Sequence, residues 1–226
     1  METRIVSDVH LGSRHCLIEE FHRFLSALPD DATLVLNGDT TDFHTAARMP
    51  PRHIEALERL REESLRRRVV WVRGNHDERY ALPDPRRIEI VRDFAVGKRL
   101  YVSHGYDFDN IMPYHRVFII LFRFFHLIRI RLGAPSVHVA YYAKKFTFLY
   151  RILQNHVAMN AVEHAKENGF EAATCGHTHT IEDRVIGGIR YLNTGAWTER
   201  PLMCLSVSDG RIELLPPPLP AAIAEA

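Results

Sequence analysis

Five short clusters of histidine, aspartate and asparagine punctuate the sequence, and each follows an apolar run of strand length. They are Asp8-x-His10, Gly38-Asp39-x-x-Asp42, Gly74-Asn75-His76-Asp77, His104-Gly105 and Gly176-His177-Thr178-His179. In an extended chain, residues two apart point the same way, so Asp8 and His10 can reach one metal ion. Glycines at strand ends allow sharp turns, so side chains from several strands can meet at one rim.

These clusters offer a set of side chains that bind divalent cations through nitrogen or oxygen: Asp8, His10, Asp39, Asn75, His104, His177 and His179. This set is too large for one tetrahedral ion, whereas two ions about 3.5–4 Å apart can share a bridging carboxylate and hydrolyse phosphate esters. Such donors admit Fe, Co²⁺ or Zn²⁺ as well as Mn²⁺, which is our first choice. One cluster alone also occurs as a turn with a hydrogen-bonded histidine, but five in succession favour a metal centre.

Short strands and helices alternate along most of the chain and must position these clusters. Apolar runs predict strands over residues 3–7, 33–37, 69–73, 88–96, 99–103, 171–175, 183–193, 202–207 and 211–215. Helical spacing predicts helices over residues 17–28 and 52–68. The stretch 183–215 has the pattern of a β-meander, with turns at Gly187-Gly188 and Asp209-Gly210. This alternation predicts an α/β fold.

The composition excludes several classes of protein. A chain of 226 residues, 46% hydrophobic and 25% charged, has the make-up of one globular domain and not of collagen, low-complexity disorder or a disulfide-stapled miniprotein. Three cysteines without a Cys-x-x-Cys pair fit a reducing compartment. We expect neither a signal peptide nor a membrane-spanning helix. With 29 basic and 28 acidic side chains, the balance does not favour nucleic acid as a partner.

Residues 111–160 differ from the rest of the chain. They hold seven Lys or Arg, no Asp or Glu, and ten of the 22 aromatic side chains. The run from Val117 to Leu132 is apolar almost all round, but its 16 residues are too few and too charged to span a bilayer. It can lie at a membrane interface, with cations towards anionic head groups. The alternative is a helical hairpin packed on the core or on a second copy in a homodimer.

Taken together, the motifs resemble the calcineurin-like metallophosphoesterase superfamily. The matching segments are Ser7-Asp8-Val9-His10-Leu11-Gly12, Gly38-Asp39-Thr40-Thr41-Asp42, Gly74-Asn75-His76-Asp77, His104-Gly105 and Gly176-His177-Thr178-His179. The resemblance implies a four-layer αββα sandwich with a dinuclear site at the carboxyl ends of the strands. We expect one domain over residues 1–215, with a helical cap inserted at about 106–168, and a disordered Pro/Ala-rich tail over 216–226.

The same resemblance implies a role for each residue of the site. One ion would be held by Asp8, His10, Asp39 and His179, and the other by Asp39, Asn75, His104 and His177, with Asp39 bridging. The candidate catalytic residues are His76, near the leaving group, and Asp77, which together with Asp42 would lie behind the ligands. The implied reaction is in-line attack of a metal-bridging hydroxide on phosphorus.

Features beyond the third motif are similar to the UDP-2,3-diacylglucosamine pyrophosphatase-like family. They are the long insertion, Ile186-Gly187-Gly188 and Asn193-Thr194-Gly195-Ala196-Trp197-Thr198-Glu199. Proven members cleave UDP-2,3-diacylglucosamine to UMP and 2,3-diacylglucosamine 1-phosphate in lipid A synthesis, and their inserted helices take up the acyl chains. The resemblance implies a phosphorylated lipid or nucleotide-sugar substrate and a cytoplasmic location, peripheral to the inner face of the membrane. The candidate substrate-binding residues are Lys144, Lys145, Arg151 and Tyr142.

Three positions depart from that family. His76 stands where members commonly have Arg, Tyr106 where many have Asp, and Ala196 where Asp precedes Trp. Asp107 or Asp109 can supply the carboxylate missing at Tyr106. Two alternatives stay open: a soluble phosphomonoesterase, phosphodiesterase or nuclease of this superfamily with a non-lipid substrate, and a non-catalytic scaffold.

The remaining histidines receive simpler interpretations. His44 is a candidate pocket residue because it lies two positions beyond Asp42. The others are interpreted as surface or internally hydrogen-bonded residues: His15, His22, His53, His138, His156 and His164.

Overall fold

The computed structural model describes residues 2–42, 49–111, 116–208 and 210–219. The strands are β1 (Thr3–Val6), β2 (Thr33–Asn37), β3 (Val69–Val72), β4 (Glu89–Val91), β5 (Asp93–Val96), β6 (Leu100–Ser103), β7 (Ala172–Cys175), β8 (Ile181–Ile186), β9 (Ile189–Thr194), β10 (Cys204–Ser208) and β11 (Arg211–Leu215). The helices are α1 (Ile18–Ser26), α2 (Pro51–Arg66), α3 (Arg116–Arg131), α4 (Val139–Ala143) and α5 (Thr147–Glu167). His44 and residues 220–226 of the predicted tail lie outside the described ranges.

The strands form two mixed sheets. The first has the order β11-β10-β1-β2-β3-β4, in which β1 to β4 are parallel and β10 is antiparallel to both its neighbours. The second has the order β5-β6-β7-β9-β8, with β6, β7 and β9 parallel and both edge strands antiparallel. The central strands β2 and β3 are buried at every residue and nearly continuous in apolar residues, because both of their faces are covered.

Three apolar clusters separate four layers. Residues such as Val35, Val70 and Leu192 pack between the two sheets. The outer face of the first sheet packs against α1 and α2 through a cluster that includes Phe21 and Leu60, and the outer face of the second packs against α5 through Ala158 and its neighbours. This is the four-layer αββα sandwich that the sequence predicted, and both predicted helices are confirmed as α1 and α2.

Two strand predictions need correction. The run 88–96 is not one strand, because β4 joins the first sheet and β5 joins the second. The stretch 183–215 is not a meander: β8 and β9 form a hairpin in the second sheet, while β10 and β11 form one in the first. The reason is packing, since Leu192 and Leu205 both face the space between the sheets from opposite sides.

The last part of the insertion lies in the core, and the described part of the tail packs on the first sheet's helical layer. The insertion is helical, and the second half of α5 lies in the core, where Val157, Ala161 and Ala165 are buried. Among the described residues, no helix has both the length and the apolar character needed to cross a bilayer. At the other end of the chain, Leu219 packs against the cluster beside α1 and α2.

The parallel strands bring the five motifs to one edge of the sandwich. Val6 is paired with Leu36, and Asn37 with Val72, so β1, β2 and β3 end almost level. In the second sheet, β6 ends at Ser103 and β7 at Cys175, directly before the fourth and fifth motifs. Gly176 donates its N–H to the carbonyl of His104 at 2.9 Å, which joins these two loops.

We predict that Gly38→Ala destabilises the protein far more than Gly187→Ala. Both glycines have positive φ, +79° and +56°, so each substitution carries the left-handed backbone cost of about 1 kcal/mol. A Cβ at Gly38 would also lie 2.3 Å from Nδ1 of His104, whereas nothing lies within 4 Å at Gly187. Overpacking of this kind adds about 1–3 kcal/mol. Urea unfolding measures the difference, and equal losses in the two variants would contradict the packing argument.

Candidate metal centre

Four candidate ligands come together at the edge of the sandwich. Asp8, His10, Asp39 and His179 each offer one ligand atom within 4.8 Å of the others, and all four are buried. Asp8 and His10 follow β1, Asp39 follows β2, and His179 follows β7. The loops are joined by backbone hydrogen bonds from the N–H of Asp8 to the carbonyl of Gly38 at 3.1 Å and from that of His10 to Asp39 at 2.9 Å.

Lone pairs converge in this cluster. Nδ1 of His10 lies 2.7 Å from Oδ1 of Asp42, and in a neutral ring donation to that carboxylate leaves Nε2 of His10 as an acceptor. This Nε2 is 3.1 Å from Nε2 of His179, which is itself 3.1 Å from Oδ1 of Asp8. Two imidazole nitrogens and a carboxylate oxygen directed at one another fit a bound cation.

A second group lies on the other side of Asp39. Nε2 of His104 is 3.3 Å from Oδ2 of Asp39, and its Nδ1 is hydrogen-bonded to the carbonyl of Asn37 at 3.1 Å. Nδ1 of His177 is 3.0 Å from Oδ1 of Asn75, and the rings of His104 and His177 are 5.5 Å apart. Asp39 therefore contacts His104 as well as belonging to the first cluster, so one carboxylate adjoins candidate ligands from both sheets.

An unsatisfied buried atom supports the same interpretation. Oδ2 of Asp8 is buried and has no hydrogen-bond partner among the described residues. Buried polar atoms are usually satisfied in folded proteins, so a carboxylate oxygen without a partner among candidate ligands fits a bound cation. The donor set of carboxylates, imidazoles and an amide oxygen fits two divalent cations.

The electrostatics of the cluster demand positive charge. Burial disfavours a charged Asp39, but the imidazoles of His104, His76 and His10 outweigh burial and hold the pKa of its carboxyl well below the ordinary value. Burial also disfavours a protonated His104, yet Asp39 and Asp8 raise its pKa to about 10. Protons on the imidazoles or divalent cations in their place can supply this charge.

The backbone is strained at most of these positions. Among the described non-glycine residues, positive φ occurs at Asp8, His10, Asp39, Asp84, Arg86, His177 and His179. Five of these seven are candidate ligands. Such conformations cost of order 1–3 kcal/mol each and persist where the surrounding structure enforces them, typically at functional sites.

The two candidate catalytic residues have different surroundings. His76 is partly exposed, with Nδ1 2.8 Å from Oδ1 of Asp42 and Nε2 3.9 Å from Oδ2 of Asp39. Asp77 is buried and accepts hydrogen bonds from the backbone of Thr40 and Gly74 and from the Trp71 indole. Burial and the nearby charge of Asp39 raise the pKa of Asp77 to about 6. Asp77 therefore joins two ligand-bearing loops rather than facing the cluster.

Some of the predicted substrate-binding residues contact other protein groups, and the others face solvent. The ammonium of Lys144 contacts Glu199 and donates to the carbonyl of His179 at 2.5 Å. The ring of Tyr142 packs within the insertion, 5.4 Å from that of Phe122, beneath the guanidinium of Arg129. Lys145 and Arg151 are exposed. Two of the four thus contact other protein groups, and two face solvent.

The structure shows two site residues that the sequence left open or missed. Of the two alternatives near Tyr106, Asp109 lies beside the cluster with Oδ2 2.8 Å from Nε2 of His177, while Asp107 pairs with Arg92. His138, interpreted as a surface or internally bonded residue, instead lies against two candidate ligands, with its ring 5.1 Å from that of His10. No local motif marks His138, because folding of the insertion brings it there.

We predict that Asp42→Asn weakens Mn²⁺ binding about 10- to 100-fold. Oδ1 of Asp42 accepts from both His10 and His76, and a neutral amide orients these rings less strongly. Isothermal titration with Mn²⁺ measures the change. Asp183→Asn is the matched control, because Asp183 pairs with Arg190 on the surface and should leave the affinity unchanged. Equal affinity in the two variants would contradict an orienting role for Asp42.

Comparison with known proteins places this arrangement in a family. The model of the family described as calcineurin-like phosphoesterase matches residues 1–180. No curated protein matches the chain. A solved structure described as YfcE, a phosphoesterase from E. coli, is 17% identical, has a TM-score of 0.47, and the match covers 92% of this chain and 89% of that one.

Two further solved structures are similar at comparable levels. A conserved uncharacterised protein from Streptococcus pneumoniae, described as a predicted phosphoesterase, is 16% identical with a TM-score of 0.43, over 94% of this chain and 86% of that one. An archaeal phosphodiesterase is 12% identical with a TM-score of 0.49, over 96% and 99% of the two chains. Because the family model matches most of the sequence, this chain belongs to the calcineurin-like phosphoesterase family and is a metal-dependent hydrolase of phosphoester bonds.

Proposed function

We propose that this phosphoesterase hydrolyses a lipid-linked or nucleotide-linked phosphate such as UDP-2,3-diacylglucosamine, releasing UMP and 2,3-diacylglucosamine 1-phosphate. The observation that carries the proposal is the contact between a basic, aromatic insertion and the metal centre. Lys144 and Tyr150 donate to the carbonyls of His179 and Thr178, both at 2.5 Å, so the insertion is joined to the fifth motif. A substrate phosphate at the centre would therefore leave the rest of the molecule beside the insertion.

The proposed chemistry divides between the metals and the chain. When bound, two divalent cations would supply Lewis-acid stabilisation of the phosphoryl group and a water that is acidic enough to react at neutral pH. One would be held by Asp8, His10, Asp39 and His179, and the other by Asp39, Asn75, His104 and His177. Asp42 holds Nδ1 of His76, so a protonated His76 can donate from Nε2 to the departing oxygen. Its partial exposure leaves that nitrogen accessible to substrate.

The insertion offers an amphiphilic surface to the rest of the substrate. Phe124, Phe125 and Phe148 are 54%, 62% and 75% exposed, which is unusual for aromatic side chains. Residues 111–160, which make up most of the insertion, include seven basic and no acidic residues. Cations beside exposed aromatics match an anionic lipid surface better than they match a protein core.

We predict that His76→Ala lowers kcat about 100-fold or more while Mn²⁺ content stays at the wild-type level. The variant removes the proton donor but none of the proposed ligands. Steady-state kinetics with a phosphodiester whose leaving group is an alkoxide, which needs a proton to depart, measure the change, and metal analysis accompanies them. Asp39→Ala serves as comparison, because it should lose both metal and activity. Loss of metal in His76→Ala would contradict the proposed role.

The substrate proposal is tested by product analysis with Mn²⁺-loaded protein. UDP-2,3-diacylglucosamine and bis-p-nitrophenyl phosphate are incubated in parallel with wild type and Asp39→Ala. Release of UMP by wild type alone is the expected result. Cleavage of the generic ester without UMP would reject this substrate and favour a non-lipid phosphodiesterase.

We predict that the double variant Phe124→Ser/Phe125→Ser binds anionic vesicles at least about 10-fold more weakly than wild type, because each exposed aromatic contributes apolar burial at the interface. Flotation with vesicles of phosphatidylglycerol and phosphatidylcholine measures binding. Val185→Ser is the matched control, because Val185 is 69% exposed on β8, outside the insertion. Wild-type protein that fails to float would contradict the membrane part of the proposal.

A further inference from the structure

We propose that His138, carried by the insertion, contacts the substrate, with its Nε2–H donating a hydrogen bond to a phosphoryl oxygen bound at the metal centre. The inference rests on the proposed phosphoesterase site and adds to it a group from outside the five motifs. It assigns to the insertion a direct part in phosphate recognition.

The position of His138 is the first argument. Its ring lies nearly parallel to that of His179, with centroids 5.2 Å apart and planes inclined by 17°. The ring of His10 is 5.1 Å away, tilted by 44°. Since His10 and His179 are proposed ligands of one ion, an anion bound at that ion would lie within reach of His138.

The hydrogen bonding of His138 is the second argument. At the N-terminus of α4, Nδ1 of His138 accepts from the backbone N–H of Ala140 at 3.4 Å. In a neutral ring with Nδ1 as acceptor, the proton is on Nε2. That nitrogen can donate to an anionic oxygen but has no lone pair for a metal ion. His138 therefore offers a hydrogen-bond donor at Nε2, whereas each of the seven proposed ligands would offer a lone pair to a metal ion.

The third argument is a cavity of about 380 Å³ that opens beside His138. It lies between the loop after β1 and the insertion, and its polar lining includes Arg14, His15 and Asp42. Asp42 also holds His76, so the cavity adjoins the proposed leaving-group side of the centre. His138 lines this cavity and also lies against His10 and His179, so a substrate held in the cavity with its phosphate at the centre would contact His138.

The test compares His138→Phe with His138→Gln in Mn²⁺-loaded protein. Phenylalanine keeps a flat ring against His179 but has no donor, whereas the glutamine amide can again donate. We expect His138→Phe to raise the Kd of inorganic phosphate and the KM for bis-p-nitrophenyl phosphate about 10-fold, with glutamine recovering part of both. His156→Phe is the control, because His156 bonds to Asn160 on α5, away from the cavity.

Several outcomes separate this inference from its alternatives. Phosphate binding equal to wild type in a folded, metal-loaded His138→Phe would overturn it, and so would loss of Mn²⁺, which would indicate a ligand. Nitrogen-15 NMR of the metal-free wild type shows directly which ring nitrogen of His138 carries the proton, without any substitution in the chain. We expect His138 protonated at Nε2, and the Nδ1–H form would overturn the inference. If wild type binds phosphate but cleaves no phosphoester, the proposed function fails instead.

Discussion

The burial of Asp8 and Asp39 at the carboxyl edge of the first sheet is the constraint on which the rest of the site depends. Both carboxylates are almost fully removed from solvent, and an isolated buried charge is too costly to persist. The second sheet supplies the compensation, since His104 and His179 approach Asp39 and Asp8 at 3.3 and 3.1 Å. The centre can therefore form only at the edge where strands of both sheets end. The proposed chemistry thus requires the sandwich fold.

The same constraint explains the backbone of the ligand loops. The candidate ligands Asp8, His10, Asp39, His177 and His179 all adopt positive φ, which favours glycine. Hydrogen bonds to the two carboxylates help to hold these loops: His177 donates its N–H to Asp8, and His76 donates its N–H to Asp39. The carboxylates thus both attract cations and order the loops that carry the other ligands. The carboxylates of Asp8 and Asp39 that attract cations therefore also stabilise the strained backbone of the ligand loops.

The sequence predicts those features of the structure that are set by neighbouring residues, and it does not predict those that are set by packing between distant segments. The motifs and most strands were predictable because glycine turns and apolar runs are local signals. The division of 88–96 between two sheets was not, because both halves are short apolar runs and only packing decides which sheet each joins. Likewise, the 3₁₀ turn at Tyr106–Phe108 directs Asp107 to Arg92 and Asp109 to His177, a choice that spacing left open.

The insertion contacts the two halves of the centre unequally. Its hydrogen bonds reach the carbonyls of Thr178 and His179, on the loop that follows β7. Asp8 and Asp39, in contrast, are held by the core itself, through backbone bonds between the loops after β1 and β2. A displacement of the insertion by a bound substrate would therefore be transmitted to the loop that follows β7 while leaving Asp39 in place. In this arrangement the core maintains the charge of the centre, and the insertion acts on the candidate ligands that follow β7, through Asp109 on His177 and through Lys144 on His179, and on whatever binds beside them.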